Sequence, residues 1–543
     1  MSAWNDDAFI SMFPEAQAVP AGVRVDPAAH GARWLVDGEV RTSGGPTREV
    51  RSRVATRQGT TLSTTLLGHE AQLTADDAKL AVAAAQRAWN DGEGEWPSAH
   101  VEARIAAVKR FAAAVEAKAD EIATLLMWEI GKPRASSRDE VTRSVDYIRN
   151  TIVELERLRE ADLGVQTGTA GGKHHFARTH RRALGVVLCV APFNYPVNEF
   201  LTTVIPALLM GNVVIAKTPR FGVLANLVLL EAFRDAFPKG VVSLLPGDGR
   251  VVIPAVMSAT EQDVAGNPTG VVHVLAFIGS EGAANAIMRS HPTPITLHKI
   301  LGLGAKNAAV VLPDADLDAA AAALVKGSLG FNGQRCTAEK IVFAHRSVFD
   351  ALAAKMVARV DALVLGMPWE DGVNISPLPE EPKLDWMRAL VDDAVGKGAK
   401  VLNAGGGRGA FSIMRPAVVG EVKAGMKLFH EEQFGPVVPL AAFDDAEEVV
   451  RWQRRSPFGQ QAAVWGQPQN ARALVRRFTR FVARVNLNDV CQRGPDSFGF
   501  SAADKSGFGT LSLKEALLAF SRPVLVQARE QAVLDAFLSR PTT

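Results

Sequence analysis

The segment GFNGQRCTAEK, residues 330–340, sets Cys336 between Arg335 and Thr337, behind two glycines and an asparagine. A cysteine there is either a thiolate nucleophile for covalent catalysis or a small buried hydrophobe. Three other stretches place polar residues directly behind apolar runs: Asn194 in PFNYP, Lys217 in KTPR, and Gly279 with Ser280 in FIGS. A Gly-Ser entry into a helix offers free N–H groups and a favourable dipole to an anion such as phosphate. Taken singly, an asparagine between aromatics is a turn former and a lysine ending a strand is a satisfied structural residue. Three such sites on successive strands point instead to a binding crevice.

The elements that must position these residues are short β-branched runs: GVVLCVAPF, NVVIAKTP, GVVSLLPGDG, VVHVLAFIGS and NAAVVLP, all between 184 and 330. Each is followed by a turn and a helical stretch, the pattern of buried parallel strands with crossover helices. The expected fold class is α/β with at least one doubly wound, Rossmann-like sheet, in which ligands sit beyond the carboxyl ends of the strands. From Thr74, a candidate N-cap, to about residue 158 the apolar spacing is helical. Residues 164–183 are Gly-rich and basic, and read as an extended arm or a long loop.

The chain has 543 residues, enough for two or more domains, with 47% hydrophobic residues and a net charge of +2. That balance gives no reason to expect nucleic acid or membrane partners. The three cysteines lack zinc-knuckle or CxxC spacing, and His174 and His175 have no ligand cluster beside them, so no metal is expected. Few cysteines, no secretory signal and no continuous apolar span imply a cytoplasmic protein. Residues 451–488 contain eight arginines and no acid; Arg472, Arg476, Arg480 and Arg484 at helical spacing read as a solvated helix face.

PFNYP (192–196), KTPR (217–220), FIGS (277–280), FNGQRCTAEK (331–340) and EEQFGPV (431–437) resemble, in order, the motifs of the aldehyde dehydrogenase superfamily. FNYPVN, GQRCTA, VDYI and QRGPDSFGF followed by DKSGFG are most similar to its NADP-dependent, non-phosphorylating glyceraldehyde-3-phosphate dehydrogenases. The resemblance implies the aldehyde dehydrogenase fold and thioester chemistry on Cys336, with Asn194 and the Cys336 N–H stabilising the oxyanion. It implies a small aldehyde as substrate, its phosphate gripped by Arg143, Arg335 and Arg493. It assigns Lys217, Gly279, Ser280, Glu432 and Phe434 to the cofactor. Arg220 stands where NAD-preferring relatives often carry a glutamate, so NADP is expected over NAD.

One departure matters: the glutamate that activates the deacylating water in the family falls, by count, on Gly302, and the position some relatives use instead is Gly304. Three outcomes stay open. Another group or a positioned water hydrolyses the thioester; or the acceptor is coenzyme A, since GAKN resembles the acylating semialdehyde dehydrogenases; or the chain is a non-catalytic cofactor-binding homologue. The retained arginines and the complete cysteine motif favour the first. The resemblance further implies an NAD(P)-binding domain from 50–160 and 183–304 and a catalytic domain at 305–490. An oligomerisation arm from 161–182 and 505–528 would make a homodimer or homotetramer. Residues 1–49 are left as an N-terminal extension and 529–543 as a tail.

Overall fold

The computed structural model describes residues 4–538. Around the arm and the first half of the chain run β1 (Arg33–Val36), β2 (Glu39–Thr42), helix α1 (Arg134–Asp162), β3 (Gln166–Ala170) and β4 (Lys173–Ala183). Then come β5 (Val186–Val190), helix α2 (Asn198–Leu209), β6 (Val213–Lys217), β7 (Val242–Leu245), β8 (Val272–Ile278), helix α3 (Glu281–Arg289) and β9 (His298–Gly302). The runs quoted above from β5 to β8 are thus strands, and β5, β6 and β7 are buried almost throughout because helices cover both faces.

The second half supplies β10 (Asn307–Val311), helix α4 (Leu317–Leu329), β11 (Glu339–His345), β12 (Lys400–Val401), β13 (Ala417–Gly420) and β14 (Val437–Phe443). After these follow β15 (Gln461–Trp465), helix α5 (Pro468–Phe478), β16 (Arg484–Leu487), β17 (Gly507–Phe508) and β18 (Ser521–Ala528).

The strands make two large sheets. The first has the order β2-β1-β7-β6-β5-β8-β9-β17, parallel from β7 to β9 with antiparallel pairs at both edges. The second has the order β12-β13-β14-β11-β10-β15-β16, parallel apart from β12 with β13. The chain changes sheets between Gly302 and Asn307, so the two glycines singled out above lie at the seam.

Three expectations need correction. Part of the 1–49 extension belongs to the first sheet: β1 pairs with β7 and buries Trp34, Leu35 and Val36, a run too short to read as a strand by periodicity. Residues 505–528 do not act as one arm segment. Within them β17 closes the first sheet against β9, and only β18 joins β4 and β3 in the three-stranded arm sheet. A side chain at Gly507 would stand 2.5 Å from the Leu301 carbonyl oxygen, so this closure needs the glycine of SGFG. Arg480 and Arg484 both lie beyond the end of α5 at Phe478, Arg484 in β16, so only Arg472 and Arg476 stand on an exposed helix face. Among the described residues, no helix is long and apolar enough to cross a membrane.

Candidate active site

Cys336 follows a backbone turn in which Phe331, Asn332 and Gly333 all have positive φ, at 51°, 56° and 72°. This conformation is costly for a phenylalanine, and packing imposes it. Asn332 exchanges two hydrogen bonds with the Ser376 backbone, at 2.9 and 3.1 Å, and a side chain at Gly333 would meet the Gly435 carbonyl at 2.5 Å. Asn307 Nδ2 then donates to the Cys336 carbonyl at 2.8 Å. The asparagine and glycine before Cys336 therefore fix the backbone that carries its thiol.

That thiol opens into a cleft of about 1160 Å³ between the two sheets. Of the sequence-predicted site residues, Arg143, Asn194, Arg220, Gly279, Ser280, Arg335, Cys336, Glu432, Phe434 and Arg493 line it, as do Gly302 and Gly304. Lys217 does not. It ends β6, buried, and its Nζ donates to the Thr218 carbonyl at 2.7 Å, while Pro219, Arg220 and Phe221 form the wall at that point. Burial lowers the Lys217 ammonium to about 8. The other two cysteines, Cys189 and Cys491, are fully buried.

Asn194 Nδ2 donates to the Gln334 carbonyl at 2.9 Å, which orients the amide and leaves its second N–H uncommitted. The Cys336 N–H donates to no group among the described residues. Both residues line the cleft that holds the thiol. The thiol itself is pushed above its ordinary value, first by burial and next by the charge of Glu199, with Glu432 adding less; Lys340 and a hydrogen bond from Gln460 act in the opposite direction.

The arginines differ in their commitments. Arg335 donates to the Thr337 hydroxyl at 3.2 Å and has no acid partner among the described residues. Arg493 is buried and ion-paired to Glu199 through Nη1, with Asp496 3.7 Å from Nε. Its Nε and Nη2 are buried without a hydrogen-bond partner. Arg143 lies 3.8 Å from the same Asp496 oxygen. Arg484 holds the loop carrying Arg493 by donating to the carbonyls of Gln492, Arg493 and Gly494 at 3.0–3.2 Å.

On the opposite wall, Ser280 caps α3 by accepting from the Ala283 N–H at 3.3 Å. A Cβ at Gly279 would stand 2.5 Å from the Phe277 ring, so only glycine leaves this turn intact. Arg220 is exposed over the Phe221 ring at 5.3 Å, with no acid partner among the described residues. Glu432 is held by the buried Lys340 at 2.8 Å, and its second oxygen would lie 2.6 Å from a Cβ at position 304. The glycine there makes room for this carboxylate. At Gly302 a Cβ would meet only the Ile278 side chain, at 3.4 Å.

Sequence reasoning missed Glu199, Lys340, Arg484 and Asp496. A signal existed only for Glu199, an acid in the first turn of the mostly apolar helix NEFLTTVIPALL. Lys340 acts through Glu432, 92 positions away, whereas Asp496 lies only three residues from Arg493 and Arg484 eight to ten from the loop it holds, contacts that residue type alone does not announce. Among the described residues no group of His, Cys, Asp and Glu side chains could hold a metal ion.

Residues 56–526 match the profile of the Aldehyde dehydrogenase family. The NADP-dependent glyceraldehyde-3-phosphate dehydrogenase of Streptococcus equinus is 35% identical over 406 residues, 74% of this chain and 81% of that protein. The enzyme of the same name from Nicotiana plumbaginifolia is 32% identical over 425 residues, 78% and 82% of the two chains. Among solved structures, the NADP-dependent glyceraldehyde-3-phosphate dehydrogenase from Bacillus halodurans C-125, complexed with NADP, superposes with a TM-score of 0.81 at 30% identity. It covers 92% of this chain and 99% of its own.

Proposed function

Since this chain belongs to the aldehyde dehydrogenase family, we propose that it oxidises an aldehyde with an anionic end, glyceraldehyde 3-phosphate to 3-phosphoglycerate, using NADP. The observation that carries the reading is Arg493, a buried guanidinium in the wall of the Cys336 cleft whose Nε and Nη2 have no hydrogen-bond partner among the described residues. Unsatisfied buried donors are costly, and an anionic substrate oxygen removes that cost. The names of the most similar relatives support the same substrate.

Cys336 Sγ, as thiolate, attacks the aldehyde carbon, and the new oxyanion takes hydrogen bonds from the free Asn194 N–H and the Cys336 N–H. Arg335 and Arg493 hold the phosphate, with Arg143 as a third cation at longer range. The residues fit the cofactor: the Gly279–Ser280 turn admits a close backbone approach, and the unpaired Arg220 matches a 2′-phosphate. NADP bound there supplies the hydride acceptor. Glu432 and Phe434 serve its nicotinamide end, and Lys217 braces the strand end behind Arg220. In the same reading the arm sheet, whose edge strand β18 exposes Val524 and Leu525, carries homodimer or homotetramer contacts in a cytoplasmic enzyme.

Rapid mixing with glyceraldehyde 3-phosphate and NADP, read by NADPH absorbance, tests this. The expected result is NADPH formation whose initial rate rises with pH past the ordinary thiol value of about 8.5, because burial and Glu199 raise the Cys336 pKa and only the thiolate reacts. No NADPH with this or any other aldehyde would refute the reading and leave a non-catalytic homologue.

A further inference from the structure

With glycine at 302 and 304, the water that releases the acyl group from Cys336 needs a base from elsewhere in the cleft. Every residue of α2 except Glu199 is buried, and Glu199 alone turns from this helix into the cleft wall as a carboxylate, five residues after Asn194. Its Oε2 pairs with Arg493, while its Oε1 accepts no bond among the described residues. The other cleft carboxylates are worse placed. Glu432 is fastened to Lys340 and packed against Gly304, and Asp496 directs a buried oxygen between Arg143 and Arg493. Glu281 lies at the mouth of α3, paired with Lys505 at 3.1 Å, and Glu380, which also lines the cleft, is paired with Lys383 at 3.6 Å. Of the two carboxylates whose charge weighs most on the Cys336 thiol, Glu199 acts the more strongly.

We propose that Glu199 is the catalytic base of deacylation, replacing the missing acid at position 302 from the opposite side of the cleft; this rests on the aldehyde-oxidising reading above. Glu199 Oε1 takes a proton from water as the water oxygen bonds to the acyl carbon. The C–S bond breaks, its electron pair returning to Cys336 Sγ as thiolate. The acid departs and Glu199 gives its proton to solvent, with no change of oxidation state in the step. Arg493 positions both the substrate's anionic end and the base, so an anionic substrate is tied to the residue that completes its turnover.

The test uses the full-length protein, glyceraldehyde 3-phosphate and NADP. Glu199→Gln keeps an acceptor for Arg493 but cannot take the proton. It is expected to give one NADPH per active site, followed by a steady rate about 10²- to 10³-fold below the parent. Intact-mass spectrometry would show the acyl group accumulating on the variant. Removing the charge also shifts the pH midpoint of the burst downward, because the charge of Glu199 bears on the thiol whatever its role, so the acyl accumulation is the readout that a merely structural role would not produce. Gly302→Glu added to Glu199→Gln should restore steady turnover at least tenfold. A Glu199→Gln steady rate within twofold of the parent overturns the assignment, as does parent turnover that requires added coenzyme A or a variant that loses the burst itself. Absence of NADPH from the parent overturns this assignment together with the reading it rests on.

Discussion

At the Pro219–Phe221 wall and the Gly279–Ser280 turn, the one arginine stands exposed without an acid partner among the described residues. Across the cleft, beside Cys336, Arg493 and Arg143 share Asp496, and Arg493 is further tied to Glu199. The first wall is made of strand ends and a helix start, where backbone N–H groups and an idle guanidinium await a ligand. The second is a balanced charge network assembled from α1, α2 and the 493–496 loop. Charge at the first wall is free to be spent on a ligand, whereas at the second most of it is already committed, and a substrate anion must compete with two carboxylates.

The contrast can be broken most severely at Arg493. Arg493→Met leaves Glu199 and Asp496 facing each other without their buried cation, so chemical denaturation should show a loss of ~3–5 kcal/mol, although Glu199 and Asp496 are partly reached by water. No measurable loss would mean that the network contributes nothing to folding. At the other wall, Arg220→Glu should leave stability unchanged and lower the NADP-to-NAD ratio of kcat/KM. A lost charge-assisted contact is worth ~1.5–3 kcal/mol, about 10- to 150-fold in that ratio. An unchanged ratio would remove Arg220 from the cofactor site. The smallest effect is expected from Asp496→Asn, which takes one of the two competing acids away from Arg493 and Arg143. KM for the phosphorylated aldehyde should fall about three- to tenfold, on the order of 1 kcal/mol, with kcat little changed. A rise in KM would show that Asp496 orients the arginines rather than competing for them.

These experiments also separate what one dimension of the chain encodes from what three dimensions add. GVVLCVAPF, NVVIAKTP and VVHVLAFIGS are strands because β-branched runs fit a sheet covered on both faces, and the residues after them reach the crevice because parallel strands all end on one side. The positive φ values of Phe331, Asn332 and Gly333 before Cys336 were not legible, because packing against Ser376 and Gly435 imposes them. Short elements were not legible. β1 has four residues and β17 two, and each is a strand only because a partner edge receives it.

The sequence by itself determined the α/β class and the absence of an acid at 302 and 304, and through the family's motifs it pointed to Cys336, Asn194 and the arginines, since a motif is carried by residue type and local spacing. Only the tertiary structure decided how the charges are distributed among partners. It placed Glu199 against Arg493 across 294 positions, Lys340 against Glu432 across 92, and withdrew Lys217 from the cleft wall. Coulomb energies and desolvation depend on distance through folded space and on what excludes water along it. Neither quantity is a property of separation along the chain.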